Sequence, residues 1–335
     1  MPGQYMNAAQ GCVCLVLLIV AFAASVGPAP AQDKRAFAVI PADKDQDLKF
    51  YAGSGAVTMG PAALARAQAD ADLILWLAGN QFFAMDEVVA AFQGAHPGLK
   101  IALVTLPPGL ILEAIKKGGW RYGGADFPGL PDVYASVNLG HLKELKAVGL
   151  MQSYMTYMHN ELQIMVAKGN PKRIRGIGDL GRSDVRTSLP NPVNEGIMQF
   201  YARKVLERHG LWQELSGGKE CASCQTSERN WFTAVHHRET PERIRSGQSD
   251  AGIVWKTEGL EAVREGAPVE AVDLPGEDSL RDEVAYAIGP LTNSGRAANA
   301  AAYLAFLRTE VGQAAYAKFG FVRATSEELV LRPLP

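Results

Sequence analysis

FTAVHHRETPERIRSGQSDAGIVWKTE, residues 232–258, reads as a complete strand, loop, helix, strand unit. Phe232 to Val235 is a short apolar run of strand composition. Ala251 to Trp255 is a second, carrying the β-branched pair Ile253 and Val254. Between them Thr240 suits an N-cap, Pro241 the first helical position, where a missing N–H costs nothing, and Glu242 the positive helix end. Gly247 marks the stop. The unit thus predicts a helix opening at Thr240–Pro241, with His236, His237, Arg238 and Glu239 in the loop where the strand hands over to it. In open α/β sheets ligands sit at that edge, because free N–H groups and the helix dipole converge there. Trp255, Lys256 and Glu258, at the end of the second strand, are expected at the same edge. A solvated turn that happens to carry two histidines is the competing reading.

Working outward, the same alternation recurs. Leu73 to Leu77 (LILWL) reads as a buried strand, Phe83 to Gln93 as a one-faced helix, and His96-Pro97-Gly98 ends it. Leu99 to Val104 is a second strand, Leu110 to Lys117 a second helix, and Pro131 to Ala135 a third strand. Met158 to Met165, Val185 to Leu189, Pro268 to Val272 and Glu283 to Ile288 are further strands. Glu195 to His209, Leu260 to Glu265, Ala297 to Arg308 and Glu310 to Phe319 are further helices. Strand and helix in alternation mean an α/β fold with mainly parallel sheets flanked by helices. Gln32 to Ala71, with a charge cluster at Asp43 to Lys49 and the Gly-rich FYAGSGAVTMG after it, reads as a poorly ordered lead-in.

The first 31 residues carry no charged side chain. Cys12 to Val26 is an apolar core, and Ala29-Pro30-Ala31 a small-residue cleavage pattern, so residues 1–31 read as a secretory signal peptide. An uncleaved membrane anchor is the alternative, but the run is shorter than the ~20 residues of a spanning helix. Periplasmic location follows. The remaining pair, Cys221 and Cys224, is read as a local disulfide in that oxidising compartment. With 335 residues, 47% hydrophobic, the chain can hold two domains with sizeable cores. Its 33 basic and 35 acidic residues, with no basic run interleaved with aromatics, exclude a nucleic-acid partner.

The order of elements over Asp72 to Val322 resembles the type II periplasmic solute-binding proteins, in particular those classed with the molybdate-binding components of ABC-type importers. The carriers are AAFQGAHPGLKI (90–101), PDVYAS (131–136), VAKGNPKRIRGIGDL (166–180), SGQSDAGIVWKTE (246–258) and FLRTEVGQAAYAKFGF (306–321). GNQF (79–82), LPPG (106–109), PNPVNEG (190–196) and HHRETP (236–241) look like a subgroup of such proteins. The resemblance implies two lobes with a ligand cleft between them, lobe one from 72–156 plus 272–335 and lobe two from 157–271. It also implies hinge closure, a monomer, and delivery to a membrane permease. The loops facing the cleft would supply Asn80, Gln81 and Pro107 from lobe one. Asn191, Glu195, His236, His237, Arg238, Thr240, Trp255 and Glu258 would come from lobe two.

Two ligand classes fit these residue types. A small oxyanion of the molybdate type would use Arg238, the helix start at Thr240 and the Asn80 amide, with His237 adding a charge-assisted bond. A metal ion or metal complex would use His236, His237, Glu195 and Glu258 as nitrogen and oxygen donors. Catalysis ranks last, since the sequence holds no nucleophile elbow, HExxH or phosphate loop, and no cofactor is implied.

Overall fold

Leu73–Ala78 forms a strand buried at every position, with Ile101–Leu106 and Val133–Ser136 parallel on its two sides. Helices Met85–Ala95, Pro108–Lys117 and Gly140–Ala147 follow these three strands in turn, as parallel pairing requires. Around this centre a nine-stranded sheet grows by antiparallel addition: Leu48–Tyr51 and Val57–Met59 on one side, Ala285–Pro290 and Ser153–His159 on the other, the last of these pairing with both Val322–Arg323 and Arg332–Pro333. A six-stranded sheet repeats the plan. Asn230–Phe232, Thr187–Leu189 and Ala251–Trp255 run parallel, and Cys224–Gln225, Leu162–Ala167 and Val269–Asp273 are antiparallel flanks. The mainly parallel sheets expected from the alternation are therefore mixed sheets with a parallel centre. Their flanks arrive by hairpins and by direct passage between sheets, neither of which imposes a parallel crossover.

This computed structural model describes residues 1–3 and 36–335, so the expected signal segment lies outside the described residues apart from its first three. Each lobe is built on one of these sheets with its helices, and lobe one carries a further three-stranded sheet of Ala38–Val39, Gly119–Tyr122 and Ala125–Pro128. The chain leaves the first sheet at His159 and enters the second at Leu162, with only Asn160 and Glu161 between; it leaves again at Asp273 and rejoins the first at Ala285. The first crossing falls later than the expected position because His159 is still paired with Ala285. Buried residues Leu75, Val88, Phe92, Tyr157, Ile164, Ile253 and Tyr286 belong to one apolar cluster running from sheet to sheet. Phe50, Trp76, Val104 and Trp120 anchor a second in lobe one. Among the described residues no helix is long and apolar enough to cross a membrane.

The lead-in is a correction. From residue 37 it is ordered: Leu48–Tyr51 and Val57–Met59 complete the large sheet, and Pro61–Asp70 is a helix. Leu48 and Phe50 are fully buried, and the Arg66 guanidinium lies over the Phe50 ring at 4.1 Å. The strand is short and set among charges, and its partner Ile101–Leu106 is some fifty residues away, so local composition carries no sign of it.

Cys221 and Cys224 are joined in a disulfide beside the edge strand Cys224–Gln225. Titration of the unfolded, unreduced protein lacking residues 1–31 is expected to find no free thiol; two thiols per chain would refute the bond.

Candidate functional site

The 232–258 unit folds as two strands around a helix, but the helix begins five residues earlier than its sequence signals. It spans His236–Arg245, with Val235 as N-cap, Pro241 in its interior and Gly247 turning off its end at φ 70°. Arg238 and Glu239 both donate their N–H to the Val235 carbonyl, which fixes the start. Carboxylates from elsewhere supply the capping that Thr240 was expected to give. Glu195 Oε1 accepts the His236 N–H at 3.1 Å, and Glu239 Oε1 reaches back to the Ala234 N–H at 2.8 Å. Thr240 is fully buried against Gly252 of the neighbouring strand, its hydroxyl unpartnered. Pro241 is half-buried and takes one hydrogen bond from the helix without breaking it.

The second strand, Ala251–Trp255, runs directly into a helix, Lys256–Arg264, which begins four residues earlier than expected. Glu258 is thereby a first-turn residue, and its Oε2 accepts the Trp255 N–H at 3.2 Å. Glu195 precedes a helical stretch with a π-helical turn at Met198–Ala202 before the α-helix Arg203–Arg208.

These starts converge. The His236 ring donates Nδ1–H to Glu195 and Nε2–H to Glu258 Oε2, the latter at 2.6 Å. Burial pushes His236 down, but the two carboxylates outweigh it and hold the imidazole up to about 10, so it is an imidazolium at neutral pH. Burial also pushes the Glu258 carboxyl up. His237 Nδ1 stands 3.5 Å from Glu258 Oε1, an oxygen that is buried and has no hydrogen-bond partner. Burial first, then the charges of His236, Arg238 and Lys44, push His237 well below its ordinary value, so this ring is neutral. Its other neighbour is the Phe82 ring at 5.6 Å. Ligand atoms of His236, His237 and Glu258 lie within 4.8 Å of one another.

The cluster borders a cleft of about 310 Å³, lined from lobe one by Asn80, Thr105, Leu106, Pro107, Pro108 and Val137 and from lobe two by Glu195, Ile197, Arg238 and Trp255. Of the expected residues, Asn80, Pro107, Glu195, His236, His237, Arg238, Trp255 and Glu258 are brought together there. Gln81, Asn191 and Thr240 are not. Gln81 is fully buried and accepts from the Tyr157 and Tyr316 hydroxyls at 3.1 and 3.0 Å. Asn191 organises its own loop, donating to Thr233 O and accepting from the Val193 and Asn194 N–H groups. Asn80 donates to the Tyr286 hydroxyl, which also accepts from Asn160 at the lobe crossing, while Asn80 Oδ1 has no partner.

The residues missed are Lys44 and Asp47, carried to the cleft by the lead-in. Asp47 pairs with Lys44 of its own segment at 3.8 Å and with Arg238 across the cleft at 3.3 Å. Burial raises the Asp47 carboxyl and lowers the Lys44 ammonium. The charge cluster Asp43 to Lys49 was the available signal.

The family model for bacterial extracellular solute-binding proteins matches residues 73–322. The chain is 21% identical over 273 residues to the molybdate-binding protein ModA of Mycobacterium tuberculosis H37Rv, covering 81% of this chain and 91% of that one. Among solved structures, the periplasmic molybdate-binding protein of Azotobacter vinelandii superposes with a TM-score of 0.58 at 17% identity, over 76% of this chain and all of that one. The sulfate-binding protein SubI of Mycobacterium tuberculosis H37Rv gives 0.53 at 16%, over 76% and 88%. An ABC-transporter substrate-binding protein of Agrobacterium tumefaciens gives 0.60 at 12%, over 84% and 86%. A two-lobed α/β architecture, a cleft between the lobes and a family match over most of the chain agree: this chain belongs to the bacterial extracellular solute-binding proteins.

Proposed function

We propose that the protein captures a metal-bearing solute in this cleft and, by hinge closure of its lobes, delivers it to the membrane permease of an ABC-type importer. The observation that carries the reading is the buried set of His236, His237 and Glu258, with one Glu258 oxygen unpartnered and Glu195 behind the His236 ring. A carboxylate on Nδ1 orients an imidazole whose Nε2 is to bind metal, and mixed nitrogen and oxygen donors suit zinc, nickel, cobalt or ferrous iron. His237, neutral in the free protein, is ready to donate a lone pair.

A second reading, an oxyanion of the molybdate type, is favoured by the relatives named above and by Lys44 and Arg238. Three features weigh against it. The N–H at the start of the His236 helix is already taken by Glu195, Glu258 takes the Trp255 N–H, and Pro108 has none to offer. A thermal-shift screen of metal-stripped protein separates the readings. A divalent metal at ~100 times its dissociation constant adds ~2.7 kcal/mol, a rise of about 5 °C. The expected result is a rise with zinc or nickel and none with molybdate, tungstate, sulfate or phosphate. A rise with an oxyanion alone overturns the metal reading in favour of the second.

A further inference from the structure

The cleft is too large, and its charges too uneven, for a bare ion. At about 310 Å³ it falls within the ~300–1,000 Å³ of small-molecule sites. The metal-donor atoms occupy only a cluster within 4.8 Å of one another. Much of the remaining wall is apolar: Leu106, Pro107, Val137, Ile197 and Trp255. Next to the donors, Lys44 and Arg238 share a single carboxylate, Asp47.

Consider the charges once a divalent ion is held, with both histidines neutral as coordination requires. Lys44, Arg238 and the ion supply four positive charges; Asp47, Glu195 and Glu258 supply three negative ones. One positive charge is left over beside Lys44, whose side chain keeps only 13% of its exposure, and an unbalanced charge is costly there. An anionic group on the solute itself would remove it, and Lys44 and Arg238 are the side chains without a full counter-charge. The apolar wall would take a carbon skeleton.

Resting on the metal reading above, we infer that the solute is a chelate: a divalent ion carried by a small organic acid whose free carboxylate docks on Lys44 and Arg238. The ion completes its coordination from His236, His237 and Glu258, and the acid fills the cleft. Such a ligand uses both the donors and the cations. A hydrated ion leaves the cations idle, and the free acid leaves Glu258 Oε1 unpartnered.

The test is calorimetric titration of the metal-stripped protein with zinc alone, citrate alone, and zinc with citrate. The expected result is at least tenfold tighter binding of the zinc–citrate mixture than of zinc, with citrate alone not binding. Lys44→Met and Arg238→Gln should remove that gain, Arg238→Lys should keep most of it, and thermal midpoints should confirm that each variant is folded. If citrate merely competes for zinc and weakens its uptake, the chelate inference fails while the metal reading stands. If citrate binds equally with or without zinc, or zinc binds in neither form, the metal reading fails and the inference with it.

Discussion

His236→Ala is expected to cost about 3–5 kcal/mol of folding stability near pH 7 in the metal-free protein. The substitution removes the cation lying between Glu195 and Glu258, whose side chains keep only 10% and 2% of their exposure, and leaves two like charges facing each other. The cost should depend on pH in a defined direction. His236 is raised from an ordinary 6.5 to about 10 in the folded state. The proton is therefore bound more tightly folded than unfolded, and its contribution is complete below pH 6.5 and lost as pH rises through about 10. Between those limits the gap between wild type and variant should narrow by up to ~1.4 kcal/mol per pH unit. Urea denaturation of both proteins at pH 6, 8 and 10 measures it. A gap independent of pH would mean that the ring between the carboxylates is uncharged.

Gly252→Ala is expected to destabilise the protein by about 3 kcal/mol, at the upper end for overpacking. Gly252 is in the middle of the six-stranded sheet, under the His236 helix. A Cβ there would lie 2.5 Å from the Ser188 carbonyl oxygen and 2.4 Å from the Thr240 methyl. The carbonyl belongs to the neighbouring strand backbone and cannot rotate away, so relief needs that strand to move apart as well as the helix to lift at Thr240, and the second movement carries the histidines. Gly94→Ala is the control: it lies in the helix Met85–Ala95 with open space around its Cβ, and alanine there should be neutral or stabilising by up to ~1 kcal/mol. Chemical denaturation of both variants decides the matter. Equal stabilities would show that the strand and helix can separate freely.

The central strands were legible because a run such as LILWL, buried on both faces, has few alternatives at that length, and because His96-Pro97-Gly98 punctuates the helix after it. Two helices start earlier than their sequences signal, by five and by four residues. In both cases the capping group is a carboxylate that the sequence does not set at the cap: Glu195, forty-one residues from His236, and Glu258, inside the turn it stabilises. Thr240-Pro241 imitates a start signal while serving a packing role. The histidines and Glu258 were readable as neighbours because both stand where a strand hands over to a helix, at the same edge of one sheet. Gln81 and Asn191 misled because an amide that satisfies buried hydroxyls or a loop's own N–H groups looks, in sequence, like one that awaits a ligand. Lys44 and Asp47 were hidden by the same non-local pairing that hid the strand beside them.

The two sheets also differ in how much chain must exist before each can assemble. Every strand of the six-stranded sheet lies between Leu162 and Asp273, one unbroken segment. The nine-stranded sheet joins Leu48–Tyr51 to strands as distant in sequence as Ala285–Pro290 and Val322–Arg323. Closing loops of that length carries an entropic penalty before any contact rewards it, and pairings so distant in sequence slow the search. One half of the molecule can therefore nucleate from a local stretch as it emerges. The other, which holds the mouth residues Lys44 and Asp47, keeps unpaired strand edges until Ala285–Pro290 and Val322–Arg323 have emerged.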